Sequence, residues 1–280
     1  MDGHGEPFLH QLGPYLESFR AAFGRRDRLR WAAVYLHGLL SCGGRKNVGG
    51  LARCVEQPYG SEGEDVTQAL QNFVNQSPWD ENLVWRQHRE RLARHLAGSE
   101  GVLMIEEVAV VKQGRHSVGV QRQFSNALGG KFNCQIAVAV AHSGPDGVHP
   151  LALRLYLPRA WLQDAPRLDA AGVPETHRVP QSRATLALEL LREVRAEGWP
   201  ALPLVFGPGF AMEGLVADVP VQACHREWQE AGRREQLLLF DELGLSDFEG
   251  RSWRGFHHHA CLVTLACGYR ALHRQPEYCV

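Results

Sequence analysis

The first 98 residues carry apolar side chains at the spacing of amphipathic helices. One helical stretch, with a break near Gly24, places these apolar residues at helical intervals: Tyr15, Phe19, Phe23, Leu29, Ala32, Leu36 and Leu40. Two further helices are predicted, one from about Val66 to Asn75 and one that opens at Ser77, has Pro78 at its first position and ends near Gly98. The pattern therefore predicts an all-helical N-terminal lobe.

From Val102 onward, short apolar or alternating runs separated by turn residues replace the helical pattern, which is typical of β-strands. The runs are VLMIEEVAVV, HSVGVQRQF, NCQIAVAVAHS and PLALRLYLP. A helix from about Arg183 to Glu197 leads into ALPLVFGPG, a buried strand with a glycine-rich end, and helices follow around Cys224 to Leu243 and Phe256 to Leu272. A meander followed by α/β units predicts an α/β (α+β) fold with a ribonuclease H-like mixed sheet and flanking helices.

Length and composition fit one large globular domain or two modest ones, with 280 residues of which 44% are apolar and 22% charged. We expect a boundary at AGSEG, residues 97–101, between a helical DNA-binding-like domain (1–100) and a core domain (101–280). No apolar run is long enough to span a bilayer and no signal peptide is recognised, so we expect a cytoplasmic protein without a membrane partner. The seven cysteines lack C-x-x-C spacing, and we expect them to be reduced thiols.

Basic residues are clustered although the net charge is only -1. Between Arg20 and Arg53 the one acidic residue is Asp27, and the segment from Lys112 to Lys131 contains none. Such patches suit contacts to phosphates, while solvated helix faces are the alternative interpretation. The candidate DNA contacts are Arg25, Arg26, Arg28, Arg30, Arg45, Lys46, Lys112, Arg115 and Arg122, with Lys131 in the second cluster.

Several stretches in a fixed order closely resemble bacterial insertion-sequence transposases of the DDE superfamily. They are KQGRHSVGVQRQFSNALGGKFNCQIAVAVAHS, LYLPRAWLQDAPRLDAAGVPE, QSRATLALELL and GLSDFEGRSWRGFHHHACLVTLA, and YLHGLLSCGGRKNVGGLA resembles the family's helical leader. The resemblance covers roughly Phe23 to Leu272. It implies a ribonuclease H-like fold, a helical DNA-binding region ahead of it, and two Mg²⁺ ions held by three carboxylates.

The first two acidic positions of the family fall on Glu106 and Gly207. Family members place an aspartate at the end of the first core strand, where this chain has Glu106 followed by Glu107. Glutamate keeps the ligand type, but its extra methylene moves the carboxylate by about 1 Å or more, beyond the roughly 0.5 Å tolerance of a preorganised site. Gly207 supplies no side-chain ligand, and Asp218 is the downstream acid that could replace it.

The third acidic position falls on Arg233 when residues are counted back from GLSDFEGRSW, and Glu230 and Glu235 are candidate substitutes after a shift of register. Family members commonly carry a β-rich insertion between the second and third acids. Only 25 residues separate Gly207 from Arg233 here. We therefore expect a shortened core that lacks most of that insertion.

These altered positions leave four interpretations: a working transposase with a relaxed triad, a decaying copy, a domesticated protein without strand transfer, and a repurposed enzyme. Random decay would damage framework and site alike, yet SVGVQRQF, LYLPRAW and GRSWRGFHHH remain legible. This contrast favours a domesticated pseudoenzyme that binds DNA and needs no cofactor. Mg²⁺ or Mn²⁺ would be required only for residual nuclease activity, and a homodimer or another protein partner is compatible with this role.

A repurposed enzyme would use Glu106, Glu107, Asp218 or nearby histidines and cysteines. The candidates for such a new site also include Cys224, His225, His257, His258 and His259. Residues two apart on a helix do not share a face, so His257 and His259 are poorly placed to bind one metal ion. The resemblance explains WRGFHHH without a metal, and no metal ligands are assigned from the sequence.

Overall fold

A computed structural model describes residues 12–59, 63–210 and 240–273 of the chain. Helices occupy the described part before residue 100: residues 12–17, α1 (Arg20–Phe23), α2 (Arg26–Ser41), α3 (Val48–Tyr59), α4 (Val66–Asn75) and α5 (Glu81–His95). Gly24 separates α1 from α2 with a φ of +71°, a conformation that glycine adopts without a steric penalty. The predicted break and the predicted helix α4 are confirmed.

Helix α5 begins three residues later than the sequence pattern predicted. Its N-cap is Asp80, whose carboxylate accepts a hydrogen bond from the backbone N–H of Leu83 at 3.0 Å. The predicted start at Ser77 is therefore wrong, because a carboxylate at Asp80 satisfies an otherwise unpaired amide of the first turn. Pro78 precedes the cap, and Trp79 is buried in the core.

In the described parts of the chain, five strands form one mixed sheet. They are β1 (Val102–Val111), β2 (Gln121–Ser125), β3 (Gly130–Gly144), β4 (Gly147–Leu155) and β5 (Leu204–Phe206). Strands β1, β2 and β4 pair antiparallel with β3, while β5 runs parallel to β1. The meander is confirmed, but β2 is shorter than predicted because Gly119, with a φ of +74°, turns the chain before it.

Helices cover both faces of this sheet. The chain after β4 forms α6 (Arg159–Leu162), α7 (Ala165–Ala170), α8 (Arg183–Ala196) and α9 (Trp253–Leu272), with 3₁₀ turns at Glu175–His177 and Leu245–Asp247. Val138 and Val140 of β3 pack in one core with α8, whereas Ala137 and Ala139 pack in a second core with α9 and the N-terminal helices. The alternation follows from the two-residue period of a strand. The predicted fold class, a ribonuclease H-like mixed sheet preceded by helices, is confirmed.

One prediction about the cysteines is wrong. Cys42 and Cys54 form a disulfide that links the end of α2 to α3, with their Cα atoms 6.0 Å apart. The packing of these helices brings together two residues that are 12 positions apart in the chain, within the Cα distance that a disulfide spans. Cys134, Cys261 and Cys267 are free and buried.

No helix within the described ranges has both the length and the apolar character needed to cross a membrane.

Candidate functional site

Glu106 and Gly207 lie side by side at the corner where β1 and β5 run parallel. Ile105 pairs with Phe206, and the backbone N–H of Gly207 donates to the Ile105 carbonyl at 2.8 Å. Two family positions that are about a hundred residues apart are therefore neighbours, as the residue-by-residue resemblance implies. The catalytic roles of these positions stay predictions.

The Glu106 carboxylate fills the space that a side chain at position 207 would need. A Cβ atom built on Gly207 would lie 2.0 Å from Glu106 Oε2 and 2.5 Å from its Cδ, well inside van der Waals contact. Gly207 does not have a positive φ, so the requirement for glycine comes from space rather than from backbone conformation. Because Glu106 is only 4% exposed, it has little room to withdraw. Its identity and that of Gly207 therefore depend on each other.

Glu107 points to the opposite face of the sheet, because successive residues of a strand alternate. Its carboxylate accepts hydrogen bonds from Ser125 Oγ at 2.6 Å and from the Ala127 N–H at 3.4 Å. It also pairs with Arg183 Nη1 at 2.5 Å, while Arg183 Nη2 donates to the Phe124 carbonyl at 3.0 Å. Glu107 thus anchors the turn between β2 and β3 to the first residue of α8.

The loop after β5 packs against the same turn. Gly209 has a φ of +91°, and a Cβ built on it would lie 2.1 Å from Asn126 Nδ2. Asn126 Nδ2 in turn donates to Glu107 Oε2 at 3.5 Å. The glycine-rich end of β5 therefore allows close approach at two points, to Glu106 through Gly207 and to the β2–β3 turn through Gly209.

The described residues alone do not fit a two-metal site. Such a site needs several oxygen ligands that converge from separate elements, whereas Glu106 and Glu107 project from opposite faces of the sheet. Within the described ranges, no three His, Cys, Asp or Glu side chains are grouped so as to hold a metal ion. The other candidate positions lie outside the described residues: Asp218, Cys224, His225, Glu230, Arg233 and Glu235.

The consecutive histidines of α9 contact different parts of the protein. His257 Nδ1 lies 2.9 Å from the Trp253 carbonyl, and its Nε2 accepts from the Leu155 N–H of β4 at 3.3 Å. His258 stacks on Trp79, with ring centres 3.6 Å apart. Burial is the main cause that lowers the pKa of both His257 and His258 to about 3, so both rings are neutral near pH 7.

His259 joins α9 to the N-terminal helices. Its Nδ1 lies 2.9 Å from the Tyr35 hydroxyl of α2, and its Nε2 lies 2.9 Å from the Gly244 carbonyl. Burial lowers the pKa of His259 to about 4. The run of histidines therefore packs the core between the sheet and the helices, in three directions, and does not form a metal site.

Five of the nine candidate DNA contacts are exposed, and one of them, Arg45, pairs with acidic residues. Arg25 and Arg26 precede and begin α2, Arg115 follows β1, and Arg122 lies on β2. Their guanidinium groups make no hydrogen bond or ion pair within the described part of the chain. These arginines are available for contacts outside the protein.

Both candidate lysines are engaged within the protein. Lys46 Nζ donates to the carbonyls of Leu39 and Glu242, and Lys112 Nζ donates to those of Ser246 and Phe248. Burial lowers the pKa of Lys46, and it lowers that of Lys112 to about 8. A lysine whose N–H donors are already occupied by backbone carbonyls is a poor partner for a phosphate.

The remaining three candidates also have partners. Arg28 donates to the Pro78 carbonyl at 3.3 Å. Arg30 pairs with Glu64 at 2.7 Å, and Arg45 pairs with Glu249 at 3.0 Å. The acidic partners partly offset the charges of Arg30 and Arg45, so these two contribute less to a positive surface than Arg25 and Arg26.

Two features of this region were absent from the sequence predictions. Arg183 lies 76 positions from Glu107, and nothing in the spacing signals the ion pair. Phe124 and Phe132 are 49% and 39% exposed on β2 and β3. The sequence did not signal their exposure, since an apolar residue that follows a polar one in an alternating run is expected to face the core.

Comparison with known proteins assigns this chain to a family. The sequence profile described as DDE superfamily endonuclease matches residues 18–224, which include β1, β5, Glu106 and Gly207. This chain belongs to the DDE endonuclease superfamily. A probable transposase for insertion sequence element IS701 from Microchaete diplosiphon is 32% identical over 133 residues, which make up 47% of this chain. The match covers 33% of that relative's length. No solved structure matches the chain.

Proposed function

We propose that this member of the DDE superfamily is a transposase-derived protein that binds DNA in a domesticated, regulatory role and performs no strand transfer. The observation that carries the proposal is the overlap at the β1–β5 corner. Glu106 fills the space beside Gly207, so the second acidic position of the family has neither a ligand nor room for one.

The magnitude of the loss supports an inactive site. A two-metal mechanism depends on carboxylates that bridge or position both ions, and a rate falls tenfold for each 1.36 kcal/mol of lost transition-state stabilisation. Glu107 offers no compensation, because its oxygens already accept from Ser125, Ala127 and Arg183. The run His257 to His259 offers none either, since its ring nitrogens already bond to other groups in the core.

DNA is the proposed partner because the chain belongs to the DDE superfamily and leaves Arg25, Arg26, Arg115 and Arg122 exposed. The same proposal includes a helical DNA-binding part in residues 1–100 and a core in residues 101–280. Helix α9 shares its core with the N-terminal helices, so experiments on DNA binding should use the whole chain.

A cleavage assay tests the proposal. The pure protein is incubated with supercoiled plasmid and Mg²⁺ or Mn²⁺ beside a Glu106→Ala control, and we expect both to leave the plasmid at the level of buffer alone. Nicking by the native chain that disappears in Glu106→Ala would contradict the inactive interpretation. It would instead favour residual nuclease activity with Asp218, Glu230 or Glu235 as a replacement ligand.

The converse assay uses the geometry of the corner. Gly207→Asp alone should not restore activity, because the new side chain collides with the Glu106 carboxylate. The variant to test therefore combines Glu106→Asp and Gly207→Asp with Arg233→Glu. Cleavage by this triple variant and not by Gly207→Asp alone would support the assignment of all three family positions.

A further inference from the structure

A two-stranded ribbon projects from the sheet beside the corner. Strand β1 ends at Val111 opposite Cys134, so residues 130–133 of β3 pair with β2 as their one strand partner in the described chain. The ribbon consists of residues 121–133, and Gly129, with a φ of +67°, shapes its turn. Ser125 and Arg183 tie its base to Glu107 and to α8. The ribbon is therefore a protruding element on a fixed base.

One face of the ribbon places an aromatic ring between two cations. Phe124 lies directly opposite Lys131 in the antiparallel register, and Arg122 is two residues before Phe124 on the same strand. Residues related in this way share a face and have adjacent side chains. All three are exposed, Phe124 by 49%. The other face carries Phe132, which lies opposite the buried Gln123.

This basic and aromatic face is on the same side of the sheet as the Glu106 side chain. Glu106 pairs with Ala139 of β3, and Ala139 and Lys131 both occupy odd-numbered positions of that strand. No irregularity interrupts the register of β3 between these residues, since the one shift lies at Val140 and Ala141. A ligand held by Arg122, Phe124 and Lys131 would thus lie along the face that leads to the corner.

We infer that the face formed by Arg122, Phe124 and Lys131 binds DNA that contains an unpaired base, with the base stacked on Phe124 and the flanking phosphates on the two cations. The inference deepens the proposed DNA-binding function and rests on it. Bases stack on exposed aromatic side chains because every base has a flat π-face, and nearby positive charges hold the backbone. A fully stacked duplex would offer phosphates to the cations but no face to the ring.

Charge complementarity selects DNA over a protein partner. The segment from Lys112 to Lys131 contains no acidic residue, and Arg115, Arg122 and Lys131 are exposed within it. A protein surface that pairs with this segment would need a cluster of acids facing an aromatic ring. A polyanion whose units alternate phosphate and base supplies both contacts by its own chemistry.

The test compares two probes and two phenylalanines of the same ribbon. Binding of the full chain is measured by fluorescence anisotropy to a paired duplex and to the same duplex with a central run of unpaired bases. We expect about tenfold tighter binding to the second probe, which is the range that stacking of a base contributes. Phe124→Ala should abolish this preference and leave binding to the paired duplex unchanged, whereas Phe132→Ala should retain the preference.

Conservative and charge variants complete the design. Phe124→Tyr should restore the preference, and Arg122→Ala with Lys131→Ala should weaken binding to both probes and reduce its dependence on salt. Equal effects of Phe124→Ala and Phe132→Ala, or DNA binding by the native chain without a preference, would overturn the inference alone. No salt-dependent binding to either probe would overturn the proposed function as well. Self-association of the DNA-free chain that Phe124→Ala abolishes would mark the face as a protein interface and overturn the inference.

Discussion

Helix α9 and the β1–β5 corner both contain buried ionisable residues, but the two regions use them differently. His257, His258 and His259 each contact a separate neighbour, and all three are held neutral by burial. At the corner, the Glu106 carboxylate occupies the space that a side chain at Gly207 would need. The histidine run thus belongs to the framework of the fold, while Glu106 and Gly207 stand where the resemblance predicts two acidic positions of the family.

A dense group of histidines or acids therefore does not by itself mark a metal or catalytic site. What matters is whether the polar atoms are already satisfied by the protein, as in the histidine run, and whether space remains beside them, which the Glu106 carboxylate removes at the corner.

Acidification should destabilise the protein through its buried histidines. Burial lowers the pKa of His88, His257 and His258 to about 3 and that of His259 to about 4, from an ordinary value of 6.5. Below pH 6.5 these histidines bind protons in the unfolded chain but stay neutral in the folded chain. The free energy of unfolding therefore falls as the pH falls, by about 1.4 kcal/mol per pH unit for each histidine. Urea unfolding at pH 7, 6 and 5 measures the trend.

One group acts in the opposite direction. Burial raises the pKa of Glu81 from 4.5 to about 7, so this carboxyl favours the folded state at low pH and its contribution is lost as the pH rises to 7. Four histidines outweigh one carboxyl, and the net stability should still fall on acidification. Equal stability at pH 7 and pH 5 would contradict the assignment of the histidines to a sealed core.

His259→Ala should destabilise the chain by about 4 kcal/mol, because it leaves the Tyr35 hydroxyl and the Gly244 carbonyl without their partner and opens a cavity. The matched control is His116→Ala, since His116 is exposed and should change the free energy of unfolding by less than about 0.5 kcal/mol. Urea denaturation of both variants gives the comparison. Equal effects would place His259 outside the framework.

Glu107→Gln should cost about 3 kcal/mol, because it leaves the partly buried Arg183 without its counter-charge. The control is Glu193→Gln, which removes an ion pair to Arg154 from a carboxylate that is 45% exposed. An exposed pair contributes at most about 1 kcal/mol. Thermal or urea unfolding compares the two variants. A Glu107→Gln variant as stable as the native chain would contradict the role of Glu107 as the anchor of the ribbon.

The smallest effect on stability is expected at the free arginines. Arg25→Ala with Arg26→Ala should leave the free energy of unfolding within about 0.5 kcal/mol, yet lower the log-log salt slope of duplex binding by about 1.8 if each contacts one phosphate. Arg30→Ala with Arg45→Ala is the control, because those side chains pair with Glu64 and Glu249. An equal change of slope in both double variants would show that ion pairs within the protein do not reduce the contribution of an arginine to DNA binding.

The fold was largely predictable because periodicity reports burial directly. The change from helical to alternating spacing at Val102 marks the start of β1, and α4 was predicted with both of its ends. The start of α5 was predicted wrongly because Ser77 and Pro78 resemble a helix start, whereas the side chain that caps the helix is that of Asp80. The disulfide of Cys42 and Cys54 depends on helix packing, which spacing does not encode.

The neighbourhood of Glu106 and Gly207 was predictable from the sequence, whereas their contacts were not. The order of motifs placed Glu106 and Gly207 at corresponding positions of a known fold, and the structure places them on neighbouring strands. The collision between Glu106 and a side chain at position 207 depends on the direction of the Glu106 side chain, which the sequence alone does not reveal. The pairing of Glu107 with Arg183 joins elements 76 residues apart and required the folded chain.

A double-mutant cycle between Glu106 and Gly207 tests whether the Glu106 carboxylate fills the space beside Gly207. Gly207→Ala adds one methyl group at a position without a positive φ, so its cost should come from the Glu106 carboxylate alone. We predict that Gly207→Ala destabilises the native chain by about 2 kcal/mol and the Glu106→Ala chain by less than about 0.5 kcal/mol, as measured by urea unfolding. The same cost in both backgrounds would contradict the account of a corner filled by Glu106.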